Sequence, residues 1–326
     1  MAEITLLEAV HQALNYEMAA DKDMVILGQD VGVNGGVFRA TVGLQERFGK
    51  DRVLDTPLAE SMIAGLAVGM AAQGLKPVAE IQFLGFVYPA FDQIITHAAR
   101  LRNRTRGRLS CPLVFRMPYG AGIRAVEHHS ESTEAYFAHT PGLRVVIPSS
   151  PARTYGLLLA AIRDPDPVIF LEPARVYRML KQQVPDDGKA LPLDKCFILR
   201  EGTDITLVSW GAMLHETLIT ANTLARENIS AEVIDVATIK PLDIETILTS
   251  VEKTGRCVII HEAARTCGVG AEIAAQIAEK GLLSLQAPIQ RVTGYDTIVP
   301  YFKLEKNYFP SPARILDAAK KTLESL

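Results

Sequence analysis

The segment Asp55-Thr-Pro-Leu-Ala-Glu60-Ser sets a turn signal ahead of a helical run and puts a carboxylate in that run's first turn. A first-turn glutamate favours the positive end of a helix dipole whether or not it does chemistry. The residues that follow, Ala59–Gly74, are nearly all Ala, Gly and Met, so the helix is expected to be buried and the Glu60 carboxylate to stand in dry surroundings. Burial raises a carboxylate's pKa and suits a group that must hold or share a proton. The segment Glu80-Ile-Gln82-Phe83-Leu-Gly-Phe86-Val-Tyr88-Pro89 follows at the carboxyl end of a predicted strand, where open α/β sheets bind their ligands. Phe83 reads as a core plug, whereas Gln82 and Phe86 fall on the loop side and could line a flat heterocycle.

Gly120-Ala-Gly-Ile-Arg124 then runs into His128-His129-Ser130-Glu131-Ser132. Paired glycines permit unusual backbone geometry, and histidines on such a loop serve either as structural hydrogen-bonders or as proton carriers near neutral pH. They lack a third ligand at metal spacing, which argues against zinc. Five arginines from Arg100 to Arg108 form an anion patch or, more simply, a solvated helix end favoured by the dipole. Ala161-Ile162-Arg-Asp164-Pro-Asp166-Pro closes a helix with oxygen-rich turn residues. Its free carbonyls and carboxylates could hold a hard cation, and a plain Asp-Pro turn fits equally well.

The elements that must position these residues alternate between short β-branched runs and helical ones. Thr5-Leu-Leu-Glu8 reads as a capping box, with apolar spacing continuing through Ala19. Strands are predicted at Met24–Gly28, Pro77–Ile81, Leu113–Met117, Val145–Ile147 and Val168–Leu171, with helices at Pro89–Arg104 and Arg153–Arg163. This rhythm predicts a doubly wound α/β domain with a parallel sheet. It stops in the polar stretch QQVPDDGKALPLDK, then resumes with strands at Ile205–Ser209, Ala231–Val236, Cys257–His261 and Ile289–Val292. Helices are expected near His215–Arg226, Leu242–Val251, Gly270–Glu279 and Pro312–Leu323. The reading is therefore two α/β domains, 1–185 and 203–326, joined by a linker over 186–202.

Bulk properties set outer bounds. The 326 residues are 48% hydrophobic and 22% charged, enough for two well-filled cores. A net charge of −3 gives no general attraction to nucleic acid or to anionic membranes. The apolar run Met62–Leu75 is too short to span a bilayer, and MAEITLLEAV lacks the basic segment of a signal peptide. Four scattered cysteines without a CxxC pair fit reduced thiols in a bacterial cytoplasm, or in an organelle matrix after removal of a presequence.

The strings DTPLAES, EIQF..F.YPAFDQI, the histidine-serine loop, AYFAHTPGL and AIRDPDPVIFLEP resemble the beta subunit of 2-oxo acid dehydrogenases, and HEA at 261 and D..VPY at 296 extend the likeness to nearly the whole chain. Pyruvate-specific members look most similar, with branched-chain members next and acetoin dehydrogenase a further alternative. The resemblance implies a pyrimidine-binding domain followed by a transketolase C-terminal-like domain. It implies that Glu60 hydrogen-bonds N1′ of the aminopyrimidine of thiamine diphosphate, that Gln82 and Phe86 line that ring, and that His129 stands near the entering acyl group and lipoyl arm. His128 matches no constant position. Leu113, Ala161, Ile162, Asp164 and Asp166 fall where some relatives hold a structural potassium ion. Asp296 and the terminal Leu326 fall where relatives meet the subunit-binding domain of the lipoyl acyltransferase. The implied reaction is decarboxylation of pyruvate, a small 2-oxo acid, with acetyl transfer to lipoamide.

One expected motif is missing from the sequence. Enzymes of this kind anchor the diphosphate through Mg2+ held by a Gly-Asp-Gly stretch, and no GDG occurs here; Asp186-Asp187-Gly188 lies in the linker with no strand before it. The diphosphate half of the site, with its Mg2+, is expected on an alpha subunit in an α2β2 heterotetramer. A nucleotide-binding subunit like those of electron-transfer flavoproteins would need a GxGxxG after the first strand, which Gly28-Gln-Asp-Val-Gly-Val-Asn-Gly does not supply. A split transketolase or deoxyxylulose-type half shares the Glu60 chemistry and stays open; acyl transfer to lipoamide separates it.

Overall fold

A computed structural model describes residues 3–324. Contacts divide the chain into two compact units, residues 1–119 with 136–193, and residues 120–135 with 194–326.

In the first unit a parallel sheet runs in the order Arg144–Val146, Val168–Pro173, Val114–Tyr119, Lys76–Glu80, Met24–Gly28 and Val53–Asp55. The strands Met24–Gly28, Val114–Tyr119 and Val168–Pro173 are buried along their whole length, as expected for a parallel sheet covered on both faces. Helix Leu6–Ala20 begins at the expected capping box: the Thr5 hydroxyl accepts from Glu8 N at 3.2 Å, and the Glu8 carboxylate accepts from Thr5 N at 2.7 Å. This helix packs on Pro151–Arg163 and buries Val10, Leu14 and Met18. Truncating fully buried Leu14 to alanine in such a contact costs about 2–5 kcal/mol.

Two expectations change here. Pro89–Arg104 is not one α-helix; it passes through a 3-10 turn at Tyr88–Ala90, a π turn at Gln93–His97, a second 3-10 turn at Ala98–Arg100 and a short α turn at Leu101–Arg104. Gly142, at φ +93, brings its backbone so close to this segment that a Cβ would lie 2.0 Å from the Ala99 carbonyl. That contact is non-local and leaves no mark on helical periodicity. The helix Glu60–Ala72 is also less enclosed than its composition suggested. Ile63, Ala64, Ala67 and Ala71 are buried, while Met62 and Leu66 are about two-fifths exposed, at 41% and 40%.

The second unit has its own sheet, in the order Gln290–Val292, Cys257–Ile260, Ile205–Ser209, Ala231–Asp235 and Phe197–Arg200; the last strand is antiparallel and the others parallel. Phe197–Arg200 corrects the linker reading of 186–202. Its half-exposed edge position gives little hydrophobic signal, so it merged with the polar stretch before it. Residues 120–135 likewise belong with this second unit, although the chain on either side belongs to the first. Helix Ile244–Thr254 is capped by Asp243, which accepts from Thr246 N at 3.4 Å and Thr246 Oγ1 at 2.7 Å, and ends at Gly255, at φ +69. Among the described residues no helix is long and apolar enough to cross a membrane.

Candidate active site

In the first unit, strand register brings Gly28 level with both Asp55 and Glu80, so the loops after all three strands leave the same carboxyl edge. Asp55 ties that edge down by accepting Gly32 N at 2.6 Å and Val33 N at 3.1 Å. Glu60 is the first residue of the helix that follows and is half-buried. The same helix packs on strand Lys76–Glu80 and on the turns at 88–90 and 93–97. Gln82 and Phe86 are half-buried on the turn after that strand; Phe83 is buried and meets Phe86 edge-to-face at 5.7 Å, with Phe38 on its other side at 5.4 Å. The segments that leave this edge therefore carry a half-buried carboxyl, amide and phenyl ring, the last in contact with the buried Phe83 ring.

Behind it lies a buried ionic cluster. The Arg116 guanidinium bonds both Glu80 and Glu172, reaching Glu172 Oε2 at 3.0 Å, and the Tyr177 hydroxyl also donates to Glu172. Burial pushes the Glu80 carboxyl up, against the pull of Arg116. Burial would lower the Arg116 pKa, but the two carboxylates outweigh it and hold the guanidinium charged.

The second unit carries His129, half-buried at the end of the turn Glu127–His129, whereas His128 is exposed. Near the carboxyl end of the same loop, Glu134 is fully buried and accepts the Trp210 indole N–H at 3.2 Å. Burial, with the nearby Glu262 charge adding to it, pushes the Glu134 carboxyl up to about 7. Trp210 stacks on His261 with ring centroids 5.0 Å apart, and burial holds the His261 ring down to about 3, so it is neutral.

The residues expected to hold a cation lie in the first unit, where several of their groups already bond within the chain. Asp164 N donates to the Ala161 carbonyl at 3.3 Å and Val168 N to the Leu113 carbonyl at 2.9 Å; Asp164 Oδ1 accepts Asp166 N at 2.8 Å. Arg144 pairs with Asp164 at 2.9 Å and Arg102 with Asp166 at 2.5 Å, so both carboxylates are already neutralised. Ile162 is buried on the helix above. Among the described residues no group of three or more His, Cys, Asp or Glu side chains is placed to hold a metal ion. Asp296 is exposed and accepts from Thr266 N at 2.9 Å and Thr266 Oγ1 at 2.7 Å, two bonds that hold its carboxyl below the usual range. Leu326 lies outside the described residues.

Residues 2–179 match the transketolase pyrimidine binding domain and residues 194–315 the transketolase C-terminal domain. The pyruvate dehydrogenase E1 component subunit beta of Acholeplasma laidlawii is 50% identical over 321 residues, covering 98% of each chain. The subunit of that name from Bacillus subtilis (strain 168) is 47% identical over 324 residues, covering 99% of this chain and all of that one. This chain belongs to the family of pyruvate dehydrogenase E1 beta subunits. Among solved structures, a split-gene transketolase described as an inactive beta4 tetramer matches with a TM-score of 0.82 over 99% of each chain, at 22% identity, a likeness of fold.

Sequence reasoning passed over several residues of this family member. Arg116 and Glu172 sit inside the apolar strands LVFRM and IFLEP, and a charge in the middle of a buried strand was the available signal. Glu134, Glu262 and Trp210 meet only through the tertiary fold, and nothing local pairs them.

Proposed function

We propose that this chain is the beta half of a thiamine-diphosphate-dependent enzyme that decarboxylates pyruvate and passes the acetyl group to lipoamide, active only with an alpha partner in an α2β2 assembly. The observation that carries the reading is the donor set Glu60, Gln82 and Phe86 on one carboxyl sheet edge, in a chain that matches pyruvate dehydrogenase E1 beta subunits over their whole length. That set fits an aminopyrimidine: a carboxyl for a ring nitrogen, an amide for the exocyclic edge and a phenyl face for the ring. When bound, thiamine diphosphate supplies the carbon nucleophile and the electron sink for loss of carbon dioxide. Glu60 would hold the proton at N1′, and Gln82 and Phe86 would line the ring. His129 serves the later step, as proton donor or positioning group for the lipoyl arm.

The diphosphate and its Mg2+ fall to the alpha subunit, because this chain has no GDG stretch. Exposed apolar side chains support the need for a partner: Leu58, Met62 and Leu66 flank Glu60, and Ile298 and Phe302 stand out from the second unit. A potassium ion is proposed at the carbonyls of Leu113, Ala161 and Ile162 beside Asp164 and Asp166, where paired carboxylates suit a monovalent rather than a divalent ion. Asp296 is proposed to meet the acyltransferase's subunit-binding domain.

The test is steady-state assay of the reconstituted α2β2 enzyme with lipoyl acceptor against pyruvate, 2-oxoisovalerate and acetoin. Pyruvate is expected to give the highest kcat/KM. Preference for the branched acid or for acetoin assigns the chain to that relative instead, and absence of lipoyl acylation with every substrate refutes the reading.

A further inference from the structure

The loop 120–135 carries His129 and is held at both ends by buried carboxylates of its own unit. At the entry, Glu305 Oε1 accepts the backbone N–H of Gly122 at 2.7 Å and of Arg124 at 3.3 Å. At the exit, Glu262 Oε1 accepts the Ser132 hydroxyl at 2.9 Å. The loop also closes on itself, Gly120 N donating to the Glu131 carbonyl at 2.9 Å. Gly120 lies at φ +89, and a Cβ there would stand 2.0 Å from Glu262 Oε1, so both ends of the loop press against one carboxylate. Glu262 and Glu305 are only 4% and 3% exposed, which separates these anchors from ordinary surface contacts.

Charge-assisted bonds of this kind are roughly twice as strong as neutral ones and fix direction as well as distance. They hold unfavourable backbone too. Arg124 has φ +61, a region that residues with a Cβ seldom enter, and its N–H is one of the two that Glu305 accepts. His129 lies in sequence between the two anchors, on a turn shaped by the bonds of His129 N to the Val126 carbonyl at 3.0 Å and Ser130 N to the Glu127 carbonyl at 2.9 Å. The carboxylates at the loop ends fasten the segment that carries this turn to the rest of its unit.

We infer that Glu305 and Glu262 are positioning residues for His129, and that their effect falls on acyl transfer to the lipoyl group and not on decarboxylation. The inference rests on the proposed role of His129. Glu305 acts through the Gly122 and Arg124 amides, and Glu262 through Ser132 and the close approach of Gly120. Cofactor activation is assigned to Glu60, which belongs to the other unit and shares none of these bonds.

The test uses the reconstituted holoenzyme with two acceptors, ferricyanide for decarboxylation and a lipoyl domain for transfer. Since displacing a working group by about 1 Å can cost up to 10²-fold, Glu305→Ala and Glu262→Ala should slow lipoyl acetylation by about 10- to 100-fold and change the ferricyanide rate by less than about 3-fold. Glu305→Gln, whose carbonyl still accepts the amides, should recover most of the transfer rate. Peptide-level hydrogen exchange over 120–133 should rise in the alanine variants. Equal losses with both acceptors, or unchanged transfer in an assembled Glu305→Ala enzyme, overturn the proposal. If Glu305→Ala does not assemble, Ser132→Ala, which removes only the Glu262 bond, carries the same expectation and the same refutation. His129→Ala separates the two levels: unchanged transfer in that variant refutes the role of His129, whereas selective loss there with normal transfer in Glu305→Ala refutes the positioning claim alone.

Discussion

Glu60 is the first residue of its helix, a place where a carboxylate is useful without any chemistry. The two explanations differ in size and in what they touch. Loss of a dipole contact costs about 0.3–1 kcal/mol of stability, whereas loss of a positioned acid–base partner costs about 10²- to 10⁴-fold in rate. Glu60→Gln keeps the shape and can still hydrogen-bond, but it cannot exchange a proton. The reconstituted variant should therefore assemble normally and lose activity on the larger scale, with proton exchange at thiazolium C2 slowed in parallel; normal exchange and turnover would leave only the dipole role. Glu134 and His261 offer a second residue-level test through pH. Glu134 in the folded chain titrates near 7, above the 4.5 of a free glutamate, so its contribution to stability is full below about pH 4.5 and is lost as pH rises through 7. His261 titrates near 3 against 6.5 for a free histidine, so its contribution is full above about pH 6.5 and is lost as pH falls toward 3. Between pH 4.5 and 6.5 the two slopes oppose one another. Glu134→Gln should remove one of them, leaving stability that climbs with pH by up to about 1.4 kcal/mol per unit across that window. Urea unfolding at several pH values measures this, and a slope equal to that of the parent chain would contradict the assignment.

At the scale of elements, what was legible followed from local chemistry. The Thr5–Glu8 capping box, the run MVILG and the strand Ile205–Ser209 lie where pattern put them, because a cap or a continuous apolar run needs only its own residues. Phe83 is buried, as its position after a strand suggested, while Gln82 and Phe86 are half-buried. What escaped reading depends on partners distant in sequence. The turns within 88–104 accommodate the backbone at Gly142, the strand Phe197–Arg200 exists because Ala231–Asp235 offers an open edge, and loop 120–135 is fastened by Glu262 and Glu305. The helix Glu60–Ala72 is the instructive case. Its small apolar residues were read as a sign of burial inside this chain, yet Met62 and Leu66 face outward. An apolar face left open on a helix beside a site residue suits a partner chain better than solvent. Leu66→Glu should then leave the isolated chain's stability within about 0.5 kcal/mol of the parent while blocking assembly with the alpha subunit. Light scattering of the mixed subunits reads the outcome, and a full-sized tetramer would show that this face is not part of the interface.

For the whole molecule the decisive feature is incompleteness. The chain covers nearly all of its curated relatives, each named as a subunit, matches the transketolase pyrimidine binding domain and has no GDG stretch; on the function proposed above it supplies only the pyrimidine side of a divided site. The two sides differ in what they can hold alone. A carboxyl, an amide and a phenyl ring on one sheet edge offer one hydrogen-bonded ring, and in a chain open to solvent those contacts compete with water. The diphosphate carries most of the cofactor's charge, and this chain has no GDG stretch to hold its Mg2+. Binding by the beta chain alone should therefore be weak, at the level of about 1 mM or poorer, a free energy near −4 kcal/mol. Titration calorimetry of the isolated chain with thiamine diphosphate and Mg2+ is expected to give no measurable heat at micromolar protein, and pyruvate should release no carbon dioxide. Adding the alpha subunit should restore both binding and turnover, in proportion to the tetramer formed. Micromolar affinity of this chain by itself would mean that it holds the diphosphate through groups outside the Glu60 edge, and the divided site would have to be abandoned.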